Sequence, residues 1–200
     1  KIDDRIRMLA LALGATDHPD KAQEKKRHQP HAHARGTRKY LLDNGYESHP
    51  AIKGLQEMLD RAVPLEALFT LVMLFEGTDL KINALPPWVA EKWNVHLRDF
   101  FQTAKIQEFW DNDNNVWQLA ESQSKRVFEK VYFHEFLRPF VGDFQDELIF
   151  MPNLCYPADE NVGIRVGNQL YAITPPPLAW GDSPPWPYDE DSMFNHSYRA

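Results

Sequence analysis

Several features that mark large protein classes are scarce or missing in this 200-residue sequence. Its single cysteine, Cys155, excludes a disulfide scaffold and any zinc site built from several cysteines. No apolar run reaches the roughly 18 residues that a membrane-spanning helix needs, so no membrane partner is expected. The G-x-S-x-G motif of serine hydrolases and the glycine-rich nucleotide motifs are also missing.

What the sequence does contain is a large apolar fraction and an uneven charge. Apolar residues make up 43% and aromatic residues 12%, which suffices for a core and is too much for a disordered chain. The net charge of −7 makes nucleic acid a poor partner. Residues 143–200 carry 9 acidic and 2 basic groups, so their surface would attract cations or basic peptides, unless it is simply solvated.

Helical patterns dominate the first two-thirds of the chain. Asp3 is expected to cap a first helix that stops at Gly14, and Ser48 to cap a later one. Pro87 is expected to open another helix, and Asp113 to cap a long one. The segment 17–36 is charged and rich in histidine without apolar periodicity, which predicts a mobile loop.

A change of pattern after residue 142 indicates a small antiparallel sheet. Glu147 to Met151 is typical of a strand, and Val162–Val166 and Gln169–Thr174 flank a two-residue hairpin turn. Prolines follow Thr174, so the last strand cannot stay central beyond that residue. As an edge strand beside a cleft it could pair with an extended peptide, one possibility among several.

These patterns together predict one α+β domain, mostly helical, followed by the small antiparallel sheet and a C-terminal helix that appears cut short. The predicted parts are a mobile His-rich loop (17–36), a helical part (37–142), the sheet (143–174), a Pro/Trp-rich loop (175–188) and the start of a helix (189–200).

Two groups of histidines suggest a metal site, and each falls short of a metal-binding pattern. His28, His31 and His33 could bind a metal, but no carboxylate stands at ligand spacing. His134 and Glu135 begin a His-Glu-x-x-His pattern in which Arg138 replaces the second histidine, so the zinc motif fails there.

Cys155 has only His196 and Asp159 as distant candidate partners, and a buried structural thiol is the default. The Pro/Trp-rich loop could offer a polyproline helix to an SH3 or WW domain, or it could be a stiff connection packed by Trp180 and Trp186.

The order of six segments resembles a family of gluzincin-type zinc metallopeptidases. The resemblance covers about residues 40–200. The segments are NGYESHPAI (44–52), LRDFFQTAKIQEFWDND (97–113), ELIFMPNLCYP (147–157), NVGIRV (161–166), YAITPP (171–176) and PYDEDSMFNHSYRA (187–200). In that family a helix carrying His-Glu-x-x-His follows, at about the place where this sequence stops.

The resemblance implies a substrate-side scaffold without the catalytic motif. Tyr171, Ala172, Ile173 and Thr174 would match the sheet edge that lines a peptide cleft, with Asn153 nearby. A peptide or protein substrate is the implied partner. Zinc is implied for the longer protein, where it would polarise the scissile carbonyl, but no residue of this chain would bind it.

Two hypotheses follow. The first is a fragment of a zinc metallopeptidase that is inactive by itself. The alternative is a non-catalytic α+β binding module that uses the Pro/Trp-rich loop or the acidic C-terminal face. A metal-storage role for the His-rich segment is a third option, and the compartment is open, with the cytoplasm slightly favoured.

Overall fold

A computed structural model describes residues 2–128, 132–177 and Tyr188. These residues form an α+β fold of mostly helical content, which confirms the predicted class. The helices are α1 (Asp4–Leu13), α2 (His18–Lys25), α3 (Ala32–Asp43), α4 (Pro50–Asp60), α5 (Leu65–Met73), α6 (Trp93–Thr103), α7 (Ile106–Asn112), α8 (Asn114–Phe128) and α9 (Phe133–Val141). The strands are β1 (Glu147–Pro152), β2 (Val162–Val166) and β3 (Gln169–Thr174).

Helix α1 is the centre of the core. Asp3 caps it as predicted, because its carboxylate accepts the N–H of Arg5 at 3.0 Å, and Gly14 ends it. The six residues from Met8 to Leu13 are each at most 2% exposed, so the helix is covered on every side. Helices α3, α4 and α5 pack around it. Full burial stabilises the fold by about 1.5–3 kcal/mol for each leucine-sized side chain.

The prediction of a loop over residues 17–36 is wrong, because most of this segment is helical. Pro19 lies in the first turn of α2, where a missing N–H costs nothing, and Ala22 is buried. His31 caps α3, its Nδ1 accepting the N–H of His33 at 3.2 Å. Capping and tertiary burial therefore supply the stability that the apolar periodicity of this segment does not.

Two helix starts differ from the prediction. Ser48 lies in a short 3-10 turn, and the cap of α4 is His49, whose Nδ1 accepts the N–H of Ala51 at 3.2 Å. Helix α6 begins at Trp93 and not at Pro87, because the chain turns at the residue before Trp93 with a positive φ. Trp93 thereby packs on α4, where its Nε1 donates to the carbonyl of Ala51 at 2.9 Å.

The sheet has the order β1-β3-β2 and is mixed, which corrects two predictions. The hairpin of β2 and β3 is present, with Val166 paired to Gln169 across the turn. Strand β1, however, pairs with β3 in parallel, from Glu147 opposite Gln169 to Pro152 opposite Thr174. Strand β3 is therefore the central strand and not an edge. Across the three strands, one face buries Ile149, Met151, Ile164, Tyr171 and Ile173.

The chain beyond β3 is described only in part. Pro175, Pro176 and Pro177 are buried, which does not suit a polyproline helix offered to a partner domain at these three residues. Tyr188 packs on the sheet, its hydroxyl donating to the carbonyl of Thr174 at 2.8 Å. Residues 178–187 and the predicted helix at 189–200 lie outside the described residues. No described helix is both long and apolar enough to cross a membrane.

Candidate functional site

The four β3 residues predicted to line a peptide cleft lie in the middle of the sheet. Tyr171 and Ile173 pair with residues of both β1 and β2, and so does the backbone of Ala172. Thr174 is fully buried. Because both sides of β3 are already paired, an extended peptide cannot add to this strand, and the predicted edge is wrong.

Asn153, the fifth predicted site residue, holds a turn. Its side chain accepts the N–H of Cys155 at 3.0 Å and donates to the carbonyl of Pro157 at 3.2 Å. Only 1% of the residue is exposed. With both ends of its amide used in the connection after β1, the Asn153 side chain faces no open surface in the described structure.

His33 is held in a three-residue network with Trp117, which is buried, and Asp113, which is partly exposed. Trp117 donates from Nε1 to Nε2 of His33 at 3.1 Å, and His33 Nδ1 contacts the Asp113 carboxylate at 2.5 Å. An indole nitrogen can only donate a hydrogen bond, so Nε2 of His33 is the acceptor. The ring proton of His33 is therefore on Nδ1, which donates a hydrogen bond to the Asp113 carboxylate. Burial lowers the pKa of His33, and the Asp113 carboxylate opposes that shift. Both ring nitrogens are thus occupied by structural bonds.

The other two histidines of the predicted cluster are also bonded locally. His28 bonds through Nδ1 to the carbonyl of Lys26 at 2.8 Å, and its main chain is held at both ends by the amide of Gln23. His31 caps α3 as described, and burial lowers its pKa. Among the described residues no group of three or more His, Cys, Asp or Glu side chains is arranged to hold a metal ion.

Cys155 lies close to the same network but is not activated as a nucleophile. Burial raises the pKa of its thiol to about 12, even though Arg7 lowers it. The Arg7 guanidinium lies 3.9 Å from the ring centre of Trp110 and 4.5 Å from that of Trp117. This cation–π stack ties α1 to α7 and α8. His196, a predicted partner of Cys155, lies outside the described residues.

The incomplete zinc motif on α9 is likewise engaged in packing. His134 bonds through Nε2 to the carbonyl of Asp146 at 2.9 Å and stacks on Phe144. Arg138, in the place of the second histidine, pairs with Asp143 at 2.9 Å. Helix α9 is therefore fastened to the residues that lead into β1.

The outer edge of β2 carries backbone groups that no described strand pairs with. Val166 and Gln169 close a two-residue hairpin, so they form a hydrogen-bonded pair, and so do Ile164 with Tyr171. The alternate residues Gly163 and Arg165 then point their N–H and C=O groups away from β3. Among the described residues no main-chain hydrogen bond reaches these groups.

The sequence predicts this hairpin but not the edge it leaves open. The alternation along β2 follows from the two-residue turn, whereas the position of β3 between the other strands depends on its parallel pairing with β1. Such pairing joins residues about 20 positions apart and carries no local signal.

Comparisons with known proteins provide no relative for this chain. No family model, no curated protein and no solved structure matches the sequence. The resemblance to gluzincin-type peptidases therefore stays a prediction.

Proposed function

We propose that this protein binds an extended segment of a partner protein, which adds to the sheet as a further strand at the outer edge of β2. The observation that carries the proposal is the outward direction of the N–H and C=O groups of Gly163 and Arg165. The proposal keeps the peptide partner expected from the sequence and moves its site from β3 to β2.

The edge of β2 is preorganised for such an addition. Val162 and Ile164 are buried, and α5 packs against the strand. A rigid edge loses little conformational entropy on binding, so more of the hydrogen-bond energy is retained as affinity. Main-chain bonds of this kind suit many sequences, and the neighbouring side chains then select among them.

The outer edge of β1 is less suitable. His134 of α9 already bonds to the carbonyl of Asp146, just before the strand begins. Pro152, at the other end, has no N–H to offer. Hence β2 is the edge on which a partner strand is expected.

The test is titration of the ¹⁵N-labelled full chain with an acetylated, amidated heptapeptide of alternating threonine and valine with a central lysine. We expect the amide signals of Gly163 and Arg165 to shift and their hydrogen exchange to slow when the peptide binds. Shifts confined to other parts of the chain would contradict the proposal. Slow exchange of both amides in the free chain would also contradict it, because the edge would then be occupied already.

Two variants at one position separate the main-chain bond from packing. Gly163→Pro removes the outward N–H, a change that an edge strand tolerates, and should weaken peptide binding by about tenfold. Gly163→Ala keeps the N–H and should bind within about threefold of the parent chain. Equal affinities for the two variants, with parent-like spectra elsewhere, would count against strand addition.

The hypotheses drawn from the sequence keep their own tests. The metallopeptidase hypothesis is tested by the coding sequence after Ala200. It predicts a His-Glu-x-x-His motif within about 20–40 codons of that residue, and the absence of the motif there would contradict it. Partner binding through the Pro/Trp-rich loop is tested by Pro-to-Ala changes at Pro175–Pro177 in a pull-down, where unchanged recovery would count against that loop.

A further inference from the structure

Asn44 and Gly45 form the one Asn-Gly pair of the sequence, and both residues lie exposed at the end of α3. Asn44 is the C-terminal cap of that helix. Gly45 follows with a φ of +74°, and a Cβ atom added to it would meet no described atom within 4 Å apart from its chain neighbours. Because Gly45 has no side chain, its main-chain nitrogen is open to the carboxamide of Asn44.

This arrangement suits a covalent reaction of asparagine, which is among the heat-labile residues of proteins. The main-chain nitrogen of Gly45 gives up its proton and attacks Cγ of Asn44. The Cγ–Nδ2 bond breaks, the leaving nitrogen takes up the proton, and ammonia departs from a cyclic imide that joins the residues. Water then opens the imide and leaves either aspartate or isoaspartate, in which the main chain runs through the former side chain.

Two hydrogen bonds of the last helical turn oppose this attack. Nδ2 of Asn44 donates to the carbonyl of Tyr40 at 2.8 Å, and the N–H of Gly45 donates to the carbonyl of Leu42 at 3.0 Å. Both bonds must break before the nitrogen of Gly45 can turn toward Cγ. They lie at an exposed helix end, where opening costs little free energy compared with unfolding of the core.

We infer that Asn44 is a site of spontaneous deamidation, and that opening of the last turn of α3 sets the rate. This inference is independent of strand addition at β2. An aspartate at position 44 places a negative charge beside Asp43 at the C-terminal end of a helix, where the helix dipole disfavours it. An isoaspartate also lengthens the main chain before Tyr46, whose hydroxyl donates to the carbonyl of Thr103 at 2.8 Å. The modification therefore loosens the contact of this turn with α6.

Asn115 provides an internal control for the test. It is also exposed, and its Oδ1 accepts the N–H of Val116 at 3.0 Å, so the following nitrogen lies close to its side chain. The branched side chain of Val116, however, crowds that nitrogen. The native full chain is aged at mildly alkaline pH, and its proteolytic peptides are followed by mass spectrometry and by enzymatic methylation of isoaspartate. Asn44 should be converted about tenfold or more faster than Asn115, and equal rates would overturn the inference.

Ageing of the unfolded chain in guanidinium chloride tests the role of the turn. Asn44 should be lost faster there than in the native chain, because the two hydrogen bonds of the turn are gone. Equal rates in the two states would overturn the control by the turn. A native chain that keeps Asn44 intact while the unfolded chain loses it would overturn the site in the folded protein.

A matched pair of variants tests the structural consequence. Asn44→Asp supplies the charge of one product from the start, and its urea midpoint should lie below that of the parent chain. Asn115→Asp puts the same charge in the first turn of α8, where the helix dipole favours it, and should not lower the midpoint. Equal losses in the two variants, or no loss in Asn44→Asp, would overturn the loosening of α3.

Discussion

Replacing His33 should measure how much the network with Asp113 and Trp117 stabilises the fold. The side chain of His33 is 1% exposed, and its two ring nitrogens bond to two different residues. In His33→Leu the indole N–H of Trp117 loses its acceptor inside the core, at a cost of about 1–3 kcal/mol. The carboxylate of Asp113 is 37% exposed, so water can replace its lost donor and the further cost is about 0.5–1 kcal/mol.

We therefore expect the free energy of unfolding of His33→Leu to fall by about 1.5–4 kcal/mol. Urea denaturation at pH 7.5 measures it, provided that fluorescence and circular dichroism give the same transition. For a chain of this length the melting temperature should fall by about 3–16 °C.

The variant His33→Gln supplies the matched control. A glutamine side chain has both a carbonyl to accept from Trp117 and an amide to donate to Asp113. Its loss should be roughly 1 kcal/mol smaller than that of leucine. If leucine costs less than about 0.5 kcal/mol, or if glutamine is no better than leucine, the hydrogen bonds of His33 do not stabilise the fold as reasoned.

Three further predictions follow from burial and backbone geometry. The lowered pKa values of His18 and His33 mean that the unfolded chain binds protons first, so stability should fall as the pH drops below about 6.5; thermal melts at pH 7.5 and 5.5 that agree would contradict this. Cys155 should react with a thiol reagent such as Ellman's only after denaturation, since burial raises its pKa to about 12; rapid labelling of the native chain would refute that. In the helix interior of α3, Gly36→Ala should stabilise the fold by about 0.5–1 kcal/mol, because an added Cβ meets nothing within 4 Å. Gly167→Ala, where φ is +62°, should instead destabilise by about 1 kcal/mol; equal urea midpoints for the two variants would argue against the backbone explanation.

Local signals in the sequence were sufficient for the elements whose ends are fixed by neighbouring residues. The Asp3 cap and the hairpin around Gly167 are of this kind, because each depends on a few adjacent residues. Segment 17–36 shows the limit, since its helices are held by contacts such as that of His33 with Trp117, 84 residues away. No periodicity in a polar segment reports a partner that distant.

The candidate site depended on strand order, which the sequence could not supply. The prolines after Thr174 correctly indicate that the strand ends there, but they do not say what lies beside it. Because β1 pairs in parallel with β3, the outer edges of the sheet belong to β1 and β2. The residues expected to bind a peptide are therefore packed inside the sheet, and the edge now proposed belongs to the strand before them.

The central place of β3 has a consequence for how the protein is made. The ribosome synthesises β3 after the other two strands, yet neither of them has a neighbour in the sheet without it. Until residues as far as Thr174 have emerged, β1 and β2 expose apolar side chains and unpaired backbone to the cell. Helical segments such as α1 and α4 emerge much earlier. The nascent chain thus passes through a stage in which the described helices have been synthesised and the sheet has not yet formed, and its unpaired strand edges are open to aggregation there.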